Sequence, residues 1–371
     1  MENNLTIIHF VHTLFGGVAS VAANLINDQQ SYGYKCLVVY CVDDAAFESM
    51  LKKPCEKIKT FSGRFPGAFM LFGMNIRDIY RNYCIEHPDE KVICHIHNVQ
   101  ALGSLGRWQQ IPLVCTLHSQ NDIKNTMRER FSNSLYKLAL KRLFKYKKPV
   151  TSVSKAIVDC YVDAKDKEKV AIVYNGAEID ALKRKTHESF IIGHVGNLSE
   201  AKGWDTLFNA YCRLPSNIKK KTFLYAAGNE TDKYSYEKMR KVICKNGLVN
   251  NVKCLGFINN AKENFIPNID LLVLASRNEG LGLVQIEAMG YGIPVLGRNV
   301  GGICEVLSDG YNGFVIKDEI DLAMRIEQIC SDKGLYLKLS QNAYKTYKER
   351  FTMEKMCIEY RKVYRQIIDR L

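Results

Sequence analysis

The sequence has no Cys-x-x-Cys pair, no run of about 20 uninterrupted apolar residues, no fixed-period repeat and no low-complexity segment. Each absence excludes something. Thirteen cysteines would suffice for a secreted disulfide framework, but they are scattered, and several sit inside apolar runs: Cys41 in LVVYCV, Cys94 in VICHIH, Cys115 in PLVCTLH. That is the usage of a reduced compartment. With no run long enough for a bilayer and no charged leader in MENNLTIIHFVH, the chain is expected to be neither exported nor membrane-spanning, hence cytoplasmic. Without a repeat period, solenoids drop out.

What is present points to a two-domain enzyme. At 371 residues the chain exceeds the usual size of one hydrophobic core, so two domains are expected. Short β-branched runs alternate with longer periodic segments, the pattern of parallel α/β proteins. The first series of strands is LTIIHFVH, KCLVVYCV, KVICHIH, PLVCTLH, PVTSVS and VAIVYN. The polar stretch DALKRKTHESF, around 180 to 190, breaks the pattern and is read as the linker. A second series follows: FIIGHVG, TFLYAAG, NVKCLGF, IDLLVLAS, IPVLGR and GFVI. The expected architecture is two Rossmann-like doubly wound domains facing across a cleft, with ligands outside the carboxyl ends of the strands.

The net charge of +13 calls for an anionic partner or serves solubility alone. From Lys124 to Lys148 nine basic residues face one acid, Glu129, with Met127, Phe131, Leu135 and Leu138 at helical spacing. Two readings stay open, a solvated helix over a core stripe or an interfacial helix on anionic lipid. A nucleic-acid-binding role is disfavoured because no RNA or DNA module is visible.

The strand ends carry the chemistry. After the first strand, Gly16 and Gly17 open a helix whose amides and positive dipole end suit a phosphate. In the second half, GHVGNLSEAKGWDTLFNAY repeats the arrangement with Lys202, a mobile point charge suited to a diphosphate. In RNEGLGLVQIEAMGYGIPVLG, Glu279 falls in the loop after a buried strand and Glu287 about two turns into the next helix. Carboxylates accept hydrogen bonds, so hydroxyl-rich partners such as a sugar ring and a ribose suit them. His95 and His97 share a strand face, and with His118 they have the donor count of a zinc site, but no carboxylate to orient them is evident. His9, His12 and His194 are read as packing residues.

EGLGLVQIE is similar to the E-x7-E element of retaining glycosyltransferases, and the surrounding segment through GFVI resembles the signature of glycosyltransferase family 4, of GT-B fold. The resemblance runs nearly the whole chain: FGGVAS, HIHN, TLHS, SVSK, YNGAEID and VGNLSEAKGWDTL resemble its other elements, and RFTMEKMCIEYRKVYRQII resembles the C-terminal helix that crosses back to the first domain. It implies an acceptor-binding domain over 1–180, a nucleotide-sugar-binding domain over 190–350 and the crossing helix over 351–371. It implies a retaining hexosyltransferase acting without metal or other cofactor, since no Asp-x-Asp metal anchor is seen, on a nucleoside diphosphate sugar and a glycan or lipid-linked acceptor, as in surface polysaccharide biosynthesis. A GT-B epimerase or phosphorylase is the alternative.

The implied roles are Glu279 on the sugar, Glu287 on the ribose, and the amides of Gly280, Leu281, Gly282 and Leu283, with Gly16 and Gly17, on phosphate. Lys202 meets the leaving diphosphate, and His118, with His97, meets the sugar or the incoming hydroxyl. Two positions depart from the family pattern. Asn197 stands where other members carry a diphosphate arginine, with Arg277 and Arg298 as candidate replacements, and Ala19 stands where many carry glutamate.

Overall fold

The computed structural model describes residues 4–60, 68–97, 99, 102, 108–119, 127–185, 188–229 and 233–371. The chain divides into two units, Met1–Asn175 with Met353–Leu371, and Gly176–Thr352. The polar stretch at 180–190 belongs to the second, where Arg184 donates to the carbonyls of Tyr291 and Gly292 at 3.0 and 2.9 Å.

The first unit holds β1 (Leu5–Phe10), β2 (Lys35–Tyr40), β3 (Glu56–Lys59), β4 (Lys91–Ile96), β5 (Leu113–Leu117), β6 (Val150–Ser152) and β7 (Val170–Ile172). Their order across the sheet is β3-β2-β1-β4-β5-β6-β7, every pairing parallel. The inner strands are buried on both faces, which is why apolar residues fill most of their positions, with Thr6, His9, His95 and Thr116 buried among them. Edge strand β3 is EKIK, half exposed and without an apolar run to announce it. The helix Met353–Ile368 seats Met356, Tyr360, Val363 and Tyr364 in one core with Leu5, Ile7, Ile93 and Val114. Each such side chain contributes about 1.5–3 kcal/mol on full burial, so this helix is part of the first unit's core.

The second unit holds β8 (Phe190–Val195), β9 (Thr222–Ala227), β10 (Val252–Cys254), β11 (Leu271–Leu274), β12 (Val295–Arg298) and β13 (Gly313–Ile316), in the parallel order β10-β9-β8-β11-β12-β13. In each sheet the order reverses beside the unit's first strand, between β1 and β4 and between β8 and β11. Two loops leave in opposite directions there, opening a crevice at the carboxyl ends. Both units are thus Rossmann-like.

Candidate active site

At the second reversal point the loop after β8 runs beside the loop after β11. Gly203 ends a one-turn helix, Glu200–Lys202, at φ +68°, and a Cβ there would collide with the carbonyl of Ala275. Only glycine supplies both the left-handed turn and the close approach. The approach brings Lys202 Nζ to 2.5 Å from Glu279 Oε1, which also accepts from Ser276 Oγ at 3.2 Å. Glu279 Oε2 carries no hydrogen bond among the described residues. Both partners keep some exposure, 31% for Lys202 and 16% for Glu279, so the pair is open to an incoming ligand. Asn197 is exposed on the same loop, its carbonyl held by Trp204 Nε1 at 3.1 Å. Of the two candidate replacement cations, Arg277 is committed elsewhere, donating to Asp205 Oδ2 at 2.6 Å and to the Glu200 carbonyl. Arg298, half-buried at the end of β12, has no side-chain hydrogen bond among the described residues.

Gly301, at φ +52°, packs so closely on the Glu279 backbone that a Cβ would strike its carbonyl, and Gly302 N donates to the carbonyls of Glu279 and Gly280 at 3.4 and 3.1 Å. The turn thus fixed leads through Gly282, φ +79°, into the helix Leu283–Gly290, which has no side-chain cap. The amides of Gly280, Leu281, Gly282 and Leu283 donate to no group among the described residues, so the uncapped helix start presents free N–H donors and a positive dipole end. Along this helix Glu287 is half-buried and has no hydrogen-bond partner among the described residues. Burial pushes its carboxyl up to about 7, against the pull of Lys262. Two residues, or about half a turn, earlier Gln285 is fully buried, its Nε2 on the Leu281 carbonyl at 2.6 Å and its Oε1 without a partner among the described residues. Gln285 stands between Val284 and Ile286, and a glutamine between two apolar neighbours on a buried helix is itself a signal of a polar role. His194, expected to be a packing residue, is fully buried, and its Nδ1 donates to the Val273 carbonyl at 2.9 Å while its Nε2 has no partner among the described residues.

In the first unit the helix Gly16–Ser31 likewise starts without a side-chain cap, Gly16 lies at φ +77°, and a Cβ on Gly16 or Gly17 would meet nothing within 4 Å. The amides of Gly16 and Gly17 donate to no group among the described residues. Ala19, the second departure, is buried in the core with Val11 and Leu14 and cannot reach a ligand. His118 ends β5 half-buried, whereas His97 is 2% exposed and both its ring nitrogens are taken, Nδ1 by His118 at 2.9 Å and Nε2 by His9 at 3.1 Å. A direct contact from His97 to an acceptor does not fit this geometry; its influence passes through His118. The imidazoles whose ligand atoms approach within 4.8 Å are His9, His95 and His97, not the trio ending in His118. Their six ring nitrogens are already engaged in hydrogen bonds, so a cation there would break them.

The basic segment forms the helix Met127–Lys145, with Lys124 and the side chains of Arg128, Arg130, Met127 and Phe131 outside the described residues. Its buried stripe is Tyr136, Ala139, Leu140 and Leu143, while Leu138 is 41% exposed. The expected stripe through Leu135 and Leu138 is thus offset by about one position. An apolar side chain stands among Lys137, Lys141 and Lys145 instead of facing the core.

Comparison with known proteins fits this geometry. The family model for glycosyl transferases group 1 matches residues 177–346, and that for glycosyltransferase family 4 matches residues 15–181. An uncharacterized glycosyltransferase of Methanocaldococcus jannaschii is 26% identical over 363 residues, 95% of each chain. The Escherichia coli O-antigen biosynthesis glycosyltransferase WclY is 28% identical over 210 residues, 54% of this chain and 56% of the other. Among solved structures, Anabaena HepE in complex with UDP and glucose superposes with a TM-score of 0.78 at 21% identity, covering 96% of this chain and 98% of the other. That likeness shows the fold, which is of the GT-B class. With one model on each Rossmann-like unit and the signature loops in place, the chain belongs to the family 4 glycosyltransferases.

Proposed function

We propose that this glycosyltransferase moves a hexose from a nucleoside diphosphate sugar to a hydroxyl of a glycan or lipid-linked acceptor, with retention at the anomeric carbon, in the biosynthesis of a surface polysaccharide. One observation carries the donor reading: at the carboxyl end of the second sheet a lysine lies on a loop adjoining four amides and a carboxyl group that have no hydrogen-bond partner among the described residues. Lys202 and the amides of Gly280 to Leu283 suit a diphosphate. Glu287, at about 7 when empty, suits the two hydroxyls of a ribose, which would stabilise its charged form. Glu279 keeps Oε2 for a sugar hydroxyl while Oε1 holds Lys202. The Escherichia coli relative named for O-antigen biosynthesis supports the pathway class, and the Anabaena neighbour holding UDP makes uracil the first base to test.

In the proposed reaction the acceptor oxygen bonds to the anomeric carbon on the face the diphosphate leaves. The carbon–oxygen bond to the phosphate breaks, and the acceptor proton passes to a phosphate oxygen. Lys202, the amides of Gly280 to Leu283 and the start of the Leu283–Gly290 helix offset the charge on the leaving group; transfer without a metal is part of the proposal. Among the described residues no helix is long and apolar enough to cross a membrane. The exposed Leu138 amid Lys137, Lys141 and Lys145 supports docking of the 124–148 segment on the anionic inner face of a membrane. The test is a thermal-shift panel of UDP, GDP, ADP and their sugars, in which a ligand at 100 times its Kd adds about 2.7 kcal/mol. Stabilisation by one nucleotide family, with sugar transfer that survives EDTA, is expected; no shift with any of them contradicts the donor reading.

A further inference from the structure

A chain of hydrogen bonds runs through the core of the first unit and reaches the surface at His118. His118 Nε2 lies 2.9 Å from His97 Nδ1, His97 Nε2 lies 3.1 Å from His9 Nδ1, and His9 Nε2 lies 2.8 Å from Gln29 Oε1. Gln29 Nε2 continues to the Tyr364 hydroxyl at 2.9 Å, which is 2.7 Å from His95 Nδ1; His95 Nε2 meets Thr116 Oγ1 at 2.7 Å, and Thr116 meets Thr151 Oγ1 at 2.7 Å. The line crosses β1, β4, β5 and β6, because His9 and His95 are register partners and His97, Thr116 and Thr151 follow on neighbouring strands. Gln29 comes from the Gly16–Ser31 helix and Tyr364 from the Met353–Ile368 helix.

A neutral imidazole has one N–H and one lone pair. Burial lowers His9 to about 4 and His118 to about 3 and holds His95 and His97 well below the ordinary histidine value, so all four are neutral at pH 7. In a row of neutral imidazoles every hydrogen bond must point the same way, since a ring that accepts at one nitrogen must donate from the other. The row therefore has only two polarities, and the orientation of the Gln29 amide chooses between them. Cys36 Sγ lies 3.3 Å from Gln29 Oε1, and burial keeps its thiol protonated, so it donates. The amide oxygen thus faces Cys36 and His9, and the amide N–H faces Tyr364. His9 donates from Nε2 and accepts at Nδ1, His97 donates from Nε2 and accepts at Nδ1, and His118 donates from Nε2.

We infer that Gln29, His9 and His97 are positioning residues that hold His118 as the Nε2–H tautomer, with its Nδ1 lone pair presented to accept a hydrogen bond from a substrate hydroxyl. This rests on the reading of His118 as a hydroxyl contact. A donor at the same place would favour a phosphate or a carbonyl, so the row decides what class of group His118 recognises. The chain from Gln29 through Tyr364 also makes the C-terminal helix part of what holds the amide in place.

The test reads the tautomers directly. In protein labelled with ¹⁵N-histidine, eight residues in all, long-range ¹H–¹⁵N correlation at pH 7 should show a protonated Nε2 and an unprotonated Nδ1 for His118, His97 and His9. Gln29→Met and His9→Phe each remove the anchor, and in either variant, checked for a native melting transition, the His118 nitrogens should move to averaged positions from both tautomers. Wild-type His118 protonated on Nδ1 would overturn the inference, and that measurement needs no variant to fold. Unchanged His118 shifts in folded Gln29→Met and His9→Phe would also overturn it. Kinetics of His118→Ala separate the two layers: unaltered turnover removes the hydroxyl contact, whatever the tautomer.

Discussion

Glu287 shows how a single carboxyl can report on its ligand. Half-buried and without a hydrogen-bond partner among the described residues, it is raised by burial to about 7, so near neutrality a large part of the empty protein carries it protonated. Two ribose hydroxyls donating to it would favour the anion and pull that value down. Nucleoside diphosphate affinity should therefore rise from pH 6 to pH 8 and then level, with proton release on binding. Calorimetry in buffers of different ionisation enthalpy checks this, and Glu287→Gln should abolish the proton release. Lys202 presents the opposite case, a cation already paired with Glu279. A diphosphate must share or displace that carboxylate, so Lys202→Met should weaken binding of free diphosphate and of sugar donor alike.

At the scale of elements, glycines set the loop geometry. Gly203 and Gly301 lie at positive φ with carbonyls where a Cβ would stand. Gly203→Ala or Gly301→Ala should lower the melting temperature of the second unit and cost roughly 1–2 kcal/mol from the left-handed backbone alone, with the clash added. Thermal unfolding followed by Trp204, which packs 4.7 Å from His194 beside this loop, reports it. These loops were legible in the sequence because glycine, lysine and glutamate follow closely on the largely apolar strands FIIGHV and LLVL. Edge strand β3 was not, since EKIK has no buried face to impose a pattern. The histidine row was not either: His9 reads as one more residue in an apolar strand, and its link to Gln29 and Tyr364 joins positions 20 and 355 residues apart, where only folding supplies the neighbour. In the Met127–Lys145 helix, several apolar residues allow more than one stripe, and packing chose Tyr136, Ala139, Leu140 and Leu143.

Across the whole molecule, the histidines dictate the response to acid. His9 at about 4, His118 at about 3, and His95 and His97, which burial holds well below the ordinary histidine value, bind protons less readily folded than unfolded. Their contribution is complete above about pH 6.5, the ordinary histidine value, and is lost as pH falls towards and through the folded values. In the second unit His194, at about 4, acts in the same sense, but Glu287 acts oppositely, binding its proton more readily folded between about 4.5 and 7. The first unit should therefore lose stability first on acidification. Trp108 lies in the first unit and Trp204 in the second, so Trp108→Phe and Trp204→Phe each leave a probe of one unit, and coincident acid transitions would contradict the expectation. Reversing Lys141, Arg142 and Lys145 to glutamate should abolish sedimentation with anionic liposomes, and unchanged binding would sink the docking proposal. The central claim is that the second unit holds the donor, with Glu287 on the nucleoside and Glu279 on the sugar. Its most direct test is calorimetric affinity for the best-stabilising nucleoside diphosphate, measured beside steady-state turnover on Glu279→Ala and Glu287→Ala. Glu287→Ala should lose about 10- to 100-fold in diphosphate affinity, the value of a hydrogen bond to a charged group. Glu279→Ala should bind diphosphate as well as the wild type or better, its lysine released, and yet turn over roughly 100-fold more slowly. Equal losses of diphosphate affinity in both variants, or wild-type turnover in Glu279→Ala, would contradict the account.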